Sequence, residues 1–293
     1  MAKGATSPSD TYDSIRFAIK ALGDNHSFFA GAKAMRGQEE KTVDHDQEAM
    51  ALPHFVKRET PEGHLLKAYN QSFALLVVPR FSVNPNLLTA EVRDAFATKI
   101  RENIHELAAD KPIGWIVDLR GNAGGNMWPM LAGVGPLLAG SAVGSFYNSE
   151  GTTEIWYYEN GKAGVREPNK EFQPIAGSTH EPLVIAGLPP VAVLIDKETA
   201  SSGENIAIAF RGRENTKFFG EPTYGLSTAN QQFNLPDGAA IFLTTAIDAD
   251  RTGKRYESGI TPDYFVKASE ELDPSKDPVV QRAIKWLRKA PAR

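Results

Sequence analysis

The six residues Thr199-Ala200-Ser201-Ser202-Gly203-Glu204 stand where an apolar strand, Val191-Ala192-Val193-Leu194-Ile195, gives way to a helical run, Asn205-Ile206-Ala207-Ile208-Ala209-Phe210. A serine at such a junction is presented at the end of a buried strand. Its neighbouring amides lie near a helix N-terminus, where negative charge is favoured. That arrangement can supply a nucleophile and half of an oxyanion hole, although a Ser/Thr helix cap uses the same residues. Partners elsewhere in the chain must decide between the two.

One partner precedes it. Ile113-Gly114-Trp115-Ile116-Val117-Asp118-Leu119-Arg120-Gly121-Asn122-Ala123-Gly124-Gly125-Asn126 reads as a second buried strand, a glycine-rich turn and the start of a helix near Met127. Gly124 or Gly125 can aim a backbone amide at a developing oxyanion. The turn lacks the Gly-x-Gly-x-x-Gly of dinucleotide sites and the Gly-Lys-Ser/Thr of phosphate loops. A proton acceptor must come from six histidines, His26, His45, His54, His64, His105 and His180. His26 follows a helix with apolar positions Tyr12, Ile15, Ile19 and Leu22, which Gly23 can cap, so its side chain falls on a turn that can face a cleft. His105 belongs to the polar face of a helix spanning 89–109. His45, in Asp44-His45-Asp46-Gln47-Glu48, reads as a solvated acidic loop, because no second histidine stands at ligand spacing. His54, His64 and His180 have no local partner.

These motifs resemble the tail-specific, or C-terminal processing, serine peptidases and their nisin-resistance and tricorn-core relatives. The likeness rests on Gly23-Asp24-Asn25-His26-Ser27, the run Asp118 to Gly125, the run Thr199 to Glu204, Gly220-Glu221-Pro222-Thr223-Tyr224-Gly225-Leu226-Ser227-Thr228, and Tyr256-Glu257-Ser258-Gly259-Ile260-Thr261-Pro262-Asp263. Their order and spacing match from about residue 11 to 266. The resemblance implies Ser201 as nucleophile, with the Ser202 amide and that of Gly124 or Gly125 as oxyanion hole. The processing peptidases place a lysine base where this chain has Leu226, which cannot accept a proton. The nisin-resistance and tricorn branches use an N-terminal histidine, which His26 matches, and Glu257 resembles the tricorn glutamate that orients the network. The implied activity is hydrolysis of unstructured or apolar peptides through an acyl-enzyme, a chemistry that calls for no metal and no cofactor. Two other readings remain open at this level: a non-hydrolytic carrier of apolar ligands or peptides on the same fold, and, more distantly, a crotonase-type acyl-CoA enzyme.

Helices are expected at 10–22, 89–109, 127–138, 203–211 and 278–288, and strands near 65–68, 73–81, 114–119, 191–195, 217–219, 231–234 and 240–246, with a hairpin turn at Pro236-Asp237-Gly238. Their alternation, with the resemblance, predicts an α/β crotonase/Clp-protease-like core with a mainly parallel central sheet. Residues 1–70 are expected to form a helical cap segment carrying His26, and 71–293 the peptidase core. Too few residues lie in 32–64 for the PDZ module of the processing peptidases. Substrate selection then falls to the core cleft, for which Met127, Trp128, Met130 and Leu131 are candidate contacts, each equally suited to helix-to-sheet packing.

With 293 residues, 41% hydrophobic and 23% charged, the chain can bury a large core. A net charge of −4 gives no reason to expect nucleic acid as a partner. The absence of cysteine excludes a thiol nucleophile, disulfides and zinc-thiolate sites. No apolar run approaches the ~20 residues of a membrane span, and residues 1–10 hold no signal-peptide core. Export to the periplasm or cell envelope is implied by the resemblance alone.

Overall fold

The computed structural model describes residues 2–36, 59–83, 87–151, 154–179, 183, 185, 187–269, 271 and 273–290. The chain begins with α1 (Tyr12–Lys20), β1 (Phe28–Ala30) and α2 (Ala32–Met35), then β2 (Glu62–Ala68), β3 (Gln71–Val77), α3 (Ala90–Ala109), β4 (Trp115–Asp118) and α4 (Met127–Val134). A meander of β5 (Ala142–Tyr147), β6 (Glu154–Glu159), β7 (Lys162–Arg166) and β8 (Gln173–Gly177) follows. The last third holds β9 (Val191–Ile195), α5 (Ser202–Phe210), β10 (Thr216–Gly220), β11 (Thr228–Asn234), β12 (Ala240–Asp250), β13 (Arg255–Tyr256), β14 (Tyr264–Phe265) and α6 (Pro278–Leu287).

Two sheets result. The six-stranded sheet has the order β14-β10-β9-β4-β3-β2, with β14, β10, β9, β4 and β3 parallel and β2 antiparallel at the edge. Both of its faces are buried. Ala74, Leu76, Trp115, Val117, Val191, Val193 and Ile195 face one core, with residues of α3, α4 and α5. Phe73, Leu75, Ile116, Ala192, Leu194 and Phe219 face a second core, under Val279, Val280, Ala283, Ile284 and Leu287 of α6. Burial on both faces explains why these strands are continuous apolar runs.

The larger sheet corrects the expectation of a mainly parallel architecture. It has eight strands, ordered β1-β12-β5-β6-β7-β8 with β11 and β13 also on β12, and every pairing is antiparallel. The parallel order holds only for the sheet that carries the glycine-rich and serine turns. The expected cap boundary at residue 70 falls in the turn of the β2–β3 hairpin, and β1 pairs with β12, so the N-terminal segment contributes a strand to each sheet. The span offered as too short for a PDZ module falls largely on residues 37–58, outside the described residues.

Parallel order brings the C-terminal ends of β4, β9 and β10 side by side, the usual place for a site in such a sheet. The turn after β4 is fixed by Arg120, whose guanidinium bonds Asp118 Oδ2 at 2.8 Å and Asp277 Oδ2 at 2.7 Å. Asp277 also caps α6, accepting from Val279 N at 2.7 Å. The Asp-Leu-Arg motif therefore anchors the turn to α6 on the far side of the sheet.

Candidate active site

Three turns, one from each of β4, β9 and β10, are laced together. Ala200 N donates to Asn122 O at 3.0 Å, and Tyr224 N donates to Thr199 O at 2.9 Å. Glycine is required at the seams. A Cβ on Gly203 would stand 2.2 Å from Asn122 O, and one on Gly124 2.8 Å from Ser202 N, at a φ of +93°.

Ser201 ends the β9 turn with φ 51° and ψ −123°, a conformation costly for any residue but glycine, and it leads directly into α5. Strain of this kind persists only where the surroundings enforce it. Here Glu204 does so, accepting from Ser201 N at 3.0 Å, Gly225 N at 3.0 Å, Leu226 N at 2.7 Å and the Thr223 hydroxyl. This fully buried carboxylate ties the serine turn to the loop after β10. Burial pushes its pKa up, while the four donors oppose that. Asp248, buried beside it, is pushed well above the usual carboxylate range by burial first and by the charge of Glu204 second.

His26 reaches this point from the turn that leads into β1 of the antiparallel sheet. Its Nε2 lies 3.2 Å from Ser201 Oγ, and its Nδ1 lies 2.6 Å from Thr228 Oγ1. Asp24 Oδ1 accepts from His26 N at 2.9 Å and also receives Ser27 N, and Asn230 Nδ2 donates to His26 O at 2.8 Å, so the backbone beneath the imidazole is held from both sides. Burial lowers the His26 pKa below 6.5, with the Asp24 charge opposing. The neutral ring is thereby favoured near pH 7. With Nδ1–H donated to Thr228, Nε2 is the acceptor that faces the serine hydroxyl.

The two glycine amides differ. Gly124 N donates to Asn122 Oδ1 at 3.0 Å, so it is committed inward. Gly125 is exposed, its N–H makes no hydrogen bond among the described residues, and the carbonyl of the peptide it belongs to, Gly124 O, is fixed by Phe81 N at 3.2 Å. Ser202 N likewise has no acceptor among the described residues, and Ser202 Oγ donates to Gly125 O at 2.7 Å, joining the two segments. Two amides near Ser201, those of Gly125 and Ser202, thus have no acceptor among the described residues.

The profile of peptidase family S41 matches residues 72–266. The chain belongs to that family. It is a serine-type peptidase. The nisin-resistance protein of Lactococcus lactis subsp. lactis is 29% identical over 284 residues, covering 96% of this chain and 74% of that protein. Carboxyl-terminal-processing peptidase 2 of Arabidopsis thaliana chloroplasts is 29% identical over 186 residues, and there the match spans only 30% of the relative. Among solved structures, a lipoprotein from Streptococcus agalactiae superposes with a TM-score of 0.66 at 23% identity, covering 98% of this chain and 84% of that one. The photosystem II D1 C-terminal processing protease superposes with a TM-score of 0.61 at 16% identity, covering 92% and 86%. These two likenesses speak for the S41 fold alone.

The S41 chain departs from several sequence expectations. Glu257 is exposed and has no hydrogen bond to His26 among the described residues; Thr228 holds Nδ1 instead. Thr228 and Glu204 both stand in motifs that carry the family resemblance, yet only the fold reveals their contacts. Met127, Met130 and Leu131 are 5%, 0% and 0% exposed, because α4 packs this face into the core, and Met130 Sδ receives Asn122 Nδ2. Of the four candidate contacts only Trp128 is half-buried, edge-on to Phe146. Leu226 is buried. His105 is exposed, as its helix face implied, and His64 pairs with Glu62 at 3.2 Å, a partner the sequence did not suggest. His45, His54 and His180 lie outside the described residues.

A second acid stands in the β9 turn, three residues before Ser201. Glu198 is buried, and burial first and the neighbouring Asp196 second push its pKa from 4.5 to about 7, with Lys197 opposing. The folded state thus favours protonated Glu198. The unfolded chain ionises near 4.5 while the fold retains its proton, so this group's contribution to stability is full below 4.5 and is lost as pH rises toward 7. Denaturant melts of Glu198→Gln and wild-type protein should therefore agree near pH 5 and diverge by pH 8, with the variant more stable. A difference that does not change with pH would count against this account.

Proposed function

We propose that this chain hydrolyses unstructured peptides through a Ser201–His26 pair and an acyl-enzyme. The observation that carries the reading is the contact of His26 Nε2 with Ser201 Oγ at 3.2 Å, made between the turn before β1 and the turn after β9, which belong to different sheets. In the first step Ser201 Oγ attacks the scissile carbonyl while its proton passes to His26 Nε2. Gly125 N–H and Ser202 N–H receive the negative charge on the carbonyl oxygen. Collapse breaks the C–N bond, and His26 returns the proton to the leaving amine. Water, deprotonated by the same imidazole, then attacks the ester and frees Ser201. General base help of this kind is worth ~10²–10⁴ in rate, and each oxyanion donor roughly 3 kcal/mol. Export to the cell envelope belongs to the same reading, with a lipoprotein from Streptococcus agalactiae among the proteins of like fold.

Digestion of a library of unstructured peptides, with product masses read out, tests the reading. Cleavage by wild-type protein and none by Ser201→Ala is expected; saturable binding of apolar ligands without any cleavage would support a carrier instead. The oxyanion site has its own test. Gly124→Ala places a methyl group against Ser202 N and Ser201 Cβ at a positive φ. It should lower kcat about 10²-fold or more by displacing the donors, with a smaller effect on KM.

A further inference from the structure

We infer that the stacked rings of Phe28 and Phe242 form the substrate-side platform that selects an apolar or aromatic residue in the peptide, a proposal that rests on the peptidase reading. The rings lie 4.5 Å apart at 12°, and Phe28 is 38% exposed. Register places them. Phe28 pairs with Phe242, and Phe242 pairs with Gln232 across β12 and β11. Along β11, Asn230 and Gln232 share that face, Thr228 follows beyond the register shift at Ala229/Asn230, and Thr228 and Asn230 are the residues that bond His26. Thr244, opposite Asn230, bonds both Asn230 and Asp24.

The other face of the same strands is packed. Phe29, Ile241 and Leu243 join Ile15 and Ile19 of α1 in a small core. Phe28 and Phe242 belong to none of the buried clusters. Two rings that do not serve the core therefore lie on the surface that leads away from the catalytic imidazole. The Cα of Phe28 is within about 7 Å of that of His26, and Gln232 is about 13 Å along the strand from Thr228. An extended peptide covers that span with two to four residues. The strand side chains along this surface, Thr228, Asn230, Gln232, Thr244 and the two rings, carry no charge, and the Asp24 carboxylate beside Thr244 is already engaged by His26 N, Ser27 N and the Thr244 hydroxyl, so a charged side chain seated on the rings would lose water for little return.

Peptides that differ only in Phe, Ala or Lys at each position two to four residues from the scissile bond provide the test, read as kcat/KM. Wild-type protein should prefer Phe to Lys by about 10-fold or more at one position, mainly through KM. Phe28→Ala and Phe242→Ala should bring that ratio to within about 2-fold, with the rate of fluorophosphonate labelling of Ser201 unchanged. Gln232→Glu, an exposed change that leaves both rings in place, should shift the preference toward Lys. The same ranking should appear as Kd for dye-labelled peptides bound to Ser201→Ala protein. A preference retained by both alanine variants would overturn the platform, as would labelling that falls in step with cleavage, which would mean that the rings only support His26. Ring-dependent binding without cleavage by wild-type protein would leave the platform standing and remove the peptidase reading.

Discussion

Replacing Ser201 by alanine is expected to abolish fluorophosphonate labelling and to lower peptide hydrolysis by roughly 10⁴-fold or more, while Ser202→Ala keeps its label. Ser202 contributes its amide to the site and its hydroxyl to Gly125 O, so its loss weakens positioning and leaves the nucleophile. Labelling that survives in Ser201→Ala and vanishes in Ser202→Ala would move the nucleophile by one residue. The positive φ of Ser201 makes a second substitution informative. Glycine tolerates that backbone where serine is strained, so Ser201→Gly should be inactive yet more stable than the wild type by about 1 kcal/mol. A higher melting temperature in the dead variant would show that the site is maintained at a cost to the fold.

His26→Ala should lose roughly 10³-fold in kcat/KM, with labelling falling in parallel because both need an activated hydroxyl. Thr228→Val keeps the shape of the side chain and removes the Nδ1 partner, so it should cost about 10-fold, whereas exposed Glu257→Gln should be nearly neutral. The pH profile carries the sign. The working form of His26 is the neutral ring, and burial holds its pKa below 6.5, so activity should rise through a single acidic limb centred below that value. Asp24 opposes the shift. Asp24→Asn keeps the oxygen that accepts His26 N and Ser27 N but removes the charge, and it should move the limb to still lower pH. A limb above 6.5, or one that Asp24→Asn raises, contradicts the assignment. An activity that ignores His26 and depends on a lysine would discard it.

What was legible in the sequence follows how the two sheets are buried. Strands such as Val191–Ile195 and Trp115–Asp118 are buried on both faces and need apolar residues throughout, so they and the turns after them stand out. The antiparallel sheet gives weaker signals. β7 reads Lys-Ala-Gly-Val-Arg and β8 Gln-Pro-Ile-Ala-Gly, and β1 is three residues long, so cross-strand pairing holds them more than local propensity does. The stronger signals all come from the parallel sheet, so the sequence alone reads as a mainly parallel fold. At the site, Ser201, His26 and the glycine turn were readable because motif and chemistry coincide. Thr228 was not, since a threonine in a polar strand carries no sign of its partner 202 positions away. For Met127, Met130 and Leu131 the sequence leaves both readings open, and burial decides for packing: an apolar helix face looks the same whether it meets a ligand or a neighbouring sheet.

The assembly of the pair from separate sheets has a consequence for a newly made chain. Ser201 is presented by the turn after a strand of the parallel sheet, and His26 is held in place by β11 and β12, both of which follow the serine in the chain. Until β12 has paired with β1, the imidazole has no fixed position. Until Gly225 and Leu226 have closed on Glu204, the serine turn lacks the contacts that hold its strained backbone. A half-finished chain therefore carries both reactive groups without the arrangement that makes them dangerous. On the proposed mechanism, hydrolytic competence then arrives only with the final strands, after both reactive groups are already in the chain.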